Sequence, residues 1–264
     1  MFIDTLETSL HRANTCLCIG LDIDWRVMSS FTSSSSSLVE FAKRIVQETN
    51  QYASVYKLNH AFYASQGLEE DLSQIIRFVK DSYPNLPVIL DAKRGDIGNT
   101  AVQYAEEAFI RYQADAVTVS PYLGWDAVEP FLRYRDKGVI LLCRTSNEGS
   151  AWIQEVGNGQ PVYLRVAERV EQERNPNLML VVGATQLEAL SQVRKIAPST
   201  TLLVPGIGAQ GGDLDEVLRR ARRRDGLGVI INCSRSIIAQ QDDKDYFTRV
   251  SEAAATYARL MSIH

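Results

Sequence analysis

The segment richest in chemistry is Asp91-Ala92-Lys93-Arg94-Gly95-Asp96-Ile97-Gly98-Asn99-Thr100, where acids and bases alternate at short spacing. Asp91 and Lys93 are two residues apart, so at the end of an extended strand their side chains share a face. Lys57, in a separate apolar run, can join them from a neighbouring strand. Burying such a set of opposite charges costs several kcal/mol per ion unless each is paired. The pattern suits a structural salt-bridge network and a catalytic electrostatic array equally well.

A second cluster runs Val204-Pro205-Gly206-Ile207-Gly208-Ala209-Gln210-Gly211-Gly212-Asp213 and is followed by Ile231-Asn232-Cys233-Ser234-Arg235-Ser236. Glycine-rich turns leave backbone N–H groups free to cradle an anion, and the guanidinium of Arg235 adds a planar charged fork. One Gly-x-Gly alone would be a tight turn; two such segments with a cation point to a phosphorylated ligand. Asp22, Ser146 and Asn147 suit turns and caps as readily as ligand contacts, and His60 beside Asn59 reads as a packed or hydrogen-bonded residue.

The elements that must carry these residues are eight short apolar runs, at 15–21, 54–58, 87–90, 116–119, 138–142, 178–182, 201–204 and 228–231. Continuous rather than alternating apolar character predicts strands buried on both faces. Helical periods lie between them. Leu38, Phe41, Ala42, Ile45 and Val46 share one face, with Ser37 and Glu40 as a capping box. Further helical segments begin near Leu68, Thr100, Trp125, Pro161, Gln186 and Asp213, and a last one spans roughly 243–261. Strand and helix alternating eight times close most naturally into a parallel α/β structure, a (β/α)8 barrel occupying 1–264 as one domain; a doubly wound sheet is the alternative. In such a barrel the loops after the strands converge at one end, which selects Asp22, Lys57, Asp91, Lys93, Ser146, the glycine loop and Arg235. The loop positions after strands seven and eight are also where barrels usually bind phosphate. The serine run 33–37 reads as a surface loop, and 145–160, with three glycines and Trp152, is long enough for a lid.

Composition narrows the partners. With 264 residues, 45% hydrophobic and 23% charged, the chain can bury a large core. A net charge of −4 argues against a nucleic-acid binder, and the basic stretch Arg219-Arg220-Ala221-Arg222-Arg223-Arg224 reads as a solvated helix end. No apolar run approaches the ~18 residues of a membrane span, and no secretory leader pattern is visible, so a cytoplasmic location is expected. Cys16, Cys18, Cys143 and Cys233 lie in apolar runs without metal-ligand spacing and are expected as reduced core residues. The three histidines, His11, His60 and His264, are too scattered for a metal site.

Leu21-Asp22, Lys57, the Asp-x-Lys-x-x-Asp pattern at Asp91, Lys93 and Asp96, Thr100, Arg144-Thr145-Ser146-Asn147, Pro205-Gly206-Ile207-Gly208 and Arg235 appear in an order that resembles the orotidine monophosphate decarboxylase family. The resemblance runs from the first strand to the eighth. It implies a cofactor-free, metal-free conversion of orotidine 5'-monophosphate to UMP and CO2 by a Lys57/Asp91/Lys93/Asp96 array. It also implies that Asp22 and Lys57 contact the ribose, Asp91 lies beside the substrate carboxylate, and Lys93 protonates C6. Asp96 and Thr100 would serve the neighbouring subunit's site in a homodimer. Ser146 and Gln210 would recognise the pyrimidine, and Gln210, Gly206, Gly208 and Arg235 the phosphate. Where many members have Gly directly before the phosphate-binding Arg, this chain has Cys233-Ser234.

Two other readings compete. A metal-dependent sugar-phosphate decarboxylase or synthase of the same superfamily shares Asp-x-Lys-x-x-Asp, but usually carries Glu where this chain has Lys57, because a divalent metal there needs a carboxylate. A catalytically silent nucleotide-binding barrel would not need Lys57, Asp91, Lys93 and Asp96 all present.

Overall fold

In a computed structural model, which describes residues 1–28, 37–207, 213–240 and 245–263, the eight apolar runs become eight strands of one closed barrel. They are β1 (Leu17–Gly20), β2 (Val55–Asn59), β3 (Val88–Arg94), β4 (Ala116–Val119), β5 (Gly138–Arg144), β6 (Leu178–Val182), β7 (Thr201–Pro205) and β8 (Val229–Cys233). Each pairs in parallel with the next, and β8 pairs with β1 to close the ring. Parallel strands need crossovers, and helices such as Leu38–Thr49, Glu69–Ser82, Val162–Glu173, Leu187–Ile196 and Tyr246–Leu260 supply them.

The strand residues form a core buried on both faces, as continuous apolar runs require: Val88, Ile89 and Leu90 have no exposed surface, nor have Leu178's neighbours Met179 and Leu180. Helices dock by single apolar stripes. In Leu38–Thr49 the buried side chains are Leu38, Val39, Phe41, Ala42, Ile45, Val46 and Thr49, and Ser37 starts the helix by accepting the Glu40 N–H at 3.2 Å. The rest of the serine run, 33–36, lies outside the described residues. All four cysteines are free and buried. No helix among the described residues is long and apolar enough to cross a membrane.

Two strands run further than their apolar cores predict. β3 continues through Asp91 to Arg94, and β5 through Cys143 to Arg144. Ladder bonds are made by the backbone, so a polar side chain at the barrel's open end does not stop pairing. In β3 the pairing is irregular: Leu90 opposes Val117 and Arg94 opposes Val119. Asp91, Ala92 and Lys93 therefore face a single β4 residue, Thr118, across a bulge.

Candidate active site

β2 is buried along its length, and Lys57 sits in it between Tyr56 and Leu58. Its ammonium therefore ends inside the barrel, where it donates to Asp91 Oδ2 at 2.9 Å and lies 3.6 Å from Asp22 Oδ1. Asp91 accepts a second bond from Lys93 Nζ, at 2.7 Å on Oδ1. Lys57 and Asp91 are almost enclosed, whereas 48% of the Lys93 side chain is exposed to the cavity and solvent. Lys93 is thus the most exposed of these four charged side chains.

The charges hold one another ionised. Burial disfavours the Asp91 carboxylate, but Lys57 and Lys93 outweigh it and hold the Asp91 pKa well below the usual carboxylate range. Burial likewise works against the Lys57 ammonium, yet Asp22 and Asp91 overcome it and push its pKa up. A deeply buried lysine that stays charged is therefore a consequence of the paired acids, not of solvent.

Asp91 and Lys93 converge as the two-residue spacing predicts, but by a different backbone route. Lys93 is in the left-handed region, with φ 47°, at the end of the bulge. Its N–H donates to Thr118 Oγ1 at 2.9 Å, and the Thr118 hydroxyl donates to Asp91 Oδ1 at 2.9 Å. Thr118 carries no charge and no motif, so spacing alone did not reveal it.

These groups line a cavity of about 480 Å3 at the C-terminal ends of the strands. Asp22, Lys57, Asp91, Lys93, Ser146, Gly206 and Arg235 all reach it, as do Thr118 and Gln154. Gly206 follows β7 with φ 107°, a conformation that side chains rarely adopt. Arg235 opens the short helix Arg235–Ile238 after β8. On either side of it the Ser234 and Ser236 hydroxyl oxygens are buried, Ser236 beside the Cys233 thiol and Ser234 without a hydrogen-bond partner. Ser146 is admitted by Gly183 at the end of β6: a Cβ there would stand 2.8 Å from the Ser146 backbone. Gly208 and Gln210 lie outside the described residues.

Two residues are expected to serve a neighbouring subunit's site rather than this cavity. Neither Asp96 nor Thr100 lines it; Asp96 Oδ1 accepts the Ile97 N–H at 2.8 Å, beside an Ile97 that is 58% exposed. The 145–160 loop folds into a 3-10 turn (Glu148–Ser150) and a short helix (Ala151–Gln154). Arg144 ties it down, donating to Thr145 O at 2.9 Å, to Glu155 at 2.7 Å and to the Ser150 hydroxyl. Trp152 is exposed on it. His60 packs against Tyr112, its ring 3.3 Å from the phenol oxygen.

A closed eight-stranded α/β barrel with an alternating acid–base array at its C-terminal mouth defines a (β/α)8-barrel enzyme of electrostatic chemistry. Residues 15–249 match the model of the Orotidine 5'-phosphate decarboxylase / HUMPS family, and the chain belongs to that family. An orotidine 5'-phosphate decarboxylase of Ralstonia nicotianae is 47% identical over 249 residues, 93% of this chain and 92% of the relative. Among solved structures, Leishmania donovani OMP decarboxylase superposes with a TM-score of 0.81 at 40% identity, covering 98% of both chains. Leishmania donovani UMP synthase superposes with a TM-score of 0.83 at 42% identity over 97% of this chain and 56% of that one.

Proposed function

We infer that this chain decarboxylates orotidine 5'-monophosphate to UMP and CO2 without a cofactor, working as one barrel domain over residues 1–264. The observation that carries the reading is the continuous Asp22–Lys57–Asp91–Lys93 chain of charges at the mouth of a barrel of this family. Breaking the bond between C6 and its carboxylate leaves the electron pair on C6, where the pyrimidine offers no conventional sink. Stabilisation must then be electrostatic.

The half-exposed Lys93 ammonium supplies both the field and the proton: as CO2 leaves, the electron pair on C6 takes a proton from Nζ. Lys57 keeps Asp91 ionised beside the substrate carboxylate, and Lys57 with Asp22 meets the ribose hydroxyls. Ser146 and Gln210 take the pyrimidine edge. Gly206, Gly208, Gln210 and Arg235 take the phosphate. One charge at about 4 Å is worth roughly 4 kcal/mol at an effective dielectric of 20, well short of the ~20 kcal/mol of the largest enzymatic accelerations. Remote phosphate binding, spent on positioning, is the natural source of the remainder.

The working unit in this reading is a homodimer with shared sites. Asp96 and Thr100 stand away from their own cavity, next to the exposed Ile97, which suits donation across a twofold interface. Four free, buried thiols suit a reducing compartment, the cytoplasm. The metal-dependent alternative is disfavoured by Lys57, whose ammonium fills the space between Asp22 and Asp91 that a divalent cation would take. The test is direct: adding pure protein with EDTA present should replace the spectrum of orotidylate by that of UMP, and an unchanged spectrum would sink the reading.

A further inference from the structure

The Lys93 backbone presents a problem that the charge array does not solve. A lysine at φ 47° is in a conformation that side-chain-bearing residues adopt only when their surroundings overdetermine it. It stands in a bulge where three β3 residues oppose one, and the regular ladder there supplies no partner for its N–H. Without a partner, that N–H would be left unsatisfied in a backbone conformation that is itself unfavourable.

One side chain satisfies both demands. Thr118 Oγ1 accepts the Lys93 N–H and donates its own proton to Asp91 Oδ1, each at 2.9 Å. Lys93 Nζ closes the ring on the same Asp91 oxygen at 2.7 Å. The hydroxyl thus couples the backbone of the proton donor to the carboxylate that aims it. Thr118 itself is 1% exposed and lies mid-strand in β4, which anchors it to the barrel wall. Beyond the bulge Arg94 is clamped by Glu107, at 2.9 and 3.0 Å, so the far end is fixed too.

We propose that Thr118 is a positioning residue for the decarboxylation, its hydroxyl holding Lys93 in the left-handed bulge that aims the ammonium at Asp91 and the reacting carbon. The proposal rests on the reading above, in which Lys93 delivers the proton. The side-chain methyl plays no part in it, so the geometry assigns the whole effect to the hydroxyl.

Two variants test it. Thr118→Val keeps the branched shape and removes the hydroxyl; kcat should fall about 10- to 100-fold, the worth of a hydrogen bond to a charged group. KM and UMP affinity should stay within about threefold, because the contact is not with ligand. Thr118→Ser restores the hydroxyl without the methyl and should return kcat to within about threefold of wild type. Unchanged kcat in the Val variant would overturn the proposal. So would a Ser variant as slow as Val, which would assign the effect to packing, or a rise in KM alone, which would assign Thr118 to substrate contact. If Thr118→Val does not fold, the Ser variant against Thr118→Ala makes the same comparison. An inactive wild-type protein would instead refute the decarboxylase reading, a separate and visible outcome.

Discussion

The barrel holds a desolvated cation at each end, and the two are satisfied in opposite ways. At the base, the half-buried Arg194 donates to the carbonyls of Ala221, Gly228 and Thr200, the last two just ahead of β8 and β7. Those acceptors are neutral, so burial and then the nearby Arg223 pull the Arg194 pKa down to about 10. At the mouth, Lys57 is met by Asp22 and Asp91, which push its pKa up. A cation tied to carbonyls can only fasten strands together. One tied to carboxylates forms an array of full charges whose balance changes when a charged ligand arrives. Structure is secured at the base, and the mouth keeps its charge for chemistry.

The sharpest way to break this contrast is at Lys93. Lys93→Ala should lower kcat by about 100- to 10,000-fold, the range of a positioned general acid, while UMP binds nearly as well as before. A parallel collapse of UMP affinity would make Lys93 a binding group. The second test asks whether the mouth, unlike the self-contained base, is completed from outside. Lys93→Ala and Asp96→Ala homodimers should each be nearly inactive. After random exchange of equal amounts half the dimers are hybrids, each with one site intact and one lacking both residues. Activity should recover to about a quarter of wild type in an isologous dimer. No recovery, with exchange proven, would place Asp96 in its own subunit's site.

At the base the effect should be on stability alone. Arg194→Met strands several buried carbonyls at a cost of about 3 kcal/mol, or roughly 6–12 °C in Tm, with kcat unchanged. A slower enzyme of normal stability would erase the division between the two ends. The smallest effect is on pH. Burial raises the Cys16 thiol to about 11, while an unfolded thiol ionises near 8.5. The folded state then holds its proton longer than the unfolded one, so stability falls as pH rises above about 8.5. Asp91 has the opposite sign: its pKa is lowered, so its contribution is present above about 4 and lost as pH falls further. Tm should be level between these limits. Cys18, Cys143 and Cys233 are raised by burial too, so Cys16→Ala should make the alkaline limb shallower without removing it, while leaving the acid limb alone.

Much of the molecule was legible from residue order. Eight apolar runs marked all eight strands, because a strand buried on both faces must be apolar throughout. Asp91, Lys93 and Lys57 stood out because charge is costly near such strands, and Arg235 because it follows one of them. The extra length of β3 and β5 was not legible, since polar residues pair as well as apolar ones when the ladder is made by backbone.

The sequence by itself therefore determined the strand count, the alternation and which charged residues gather at one end. Only the tertiary structure decided how they meet. Thr118 matters because the register slip brings three residues of β3 against it, and register is a property of two strands, not of either one. Gly183 matters because Ser146 comes within a Cβ's reach of it, 37 residues away in the chain. Asp96 and Thr100, close to Lys93 in sequence, do not line its cavity, the chain having left β3 after Arg94 and entered the helix Gly98–Glu106. Local composition encodes which groups are costly to bury; the closing of the barrel selects which of them share a cavity.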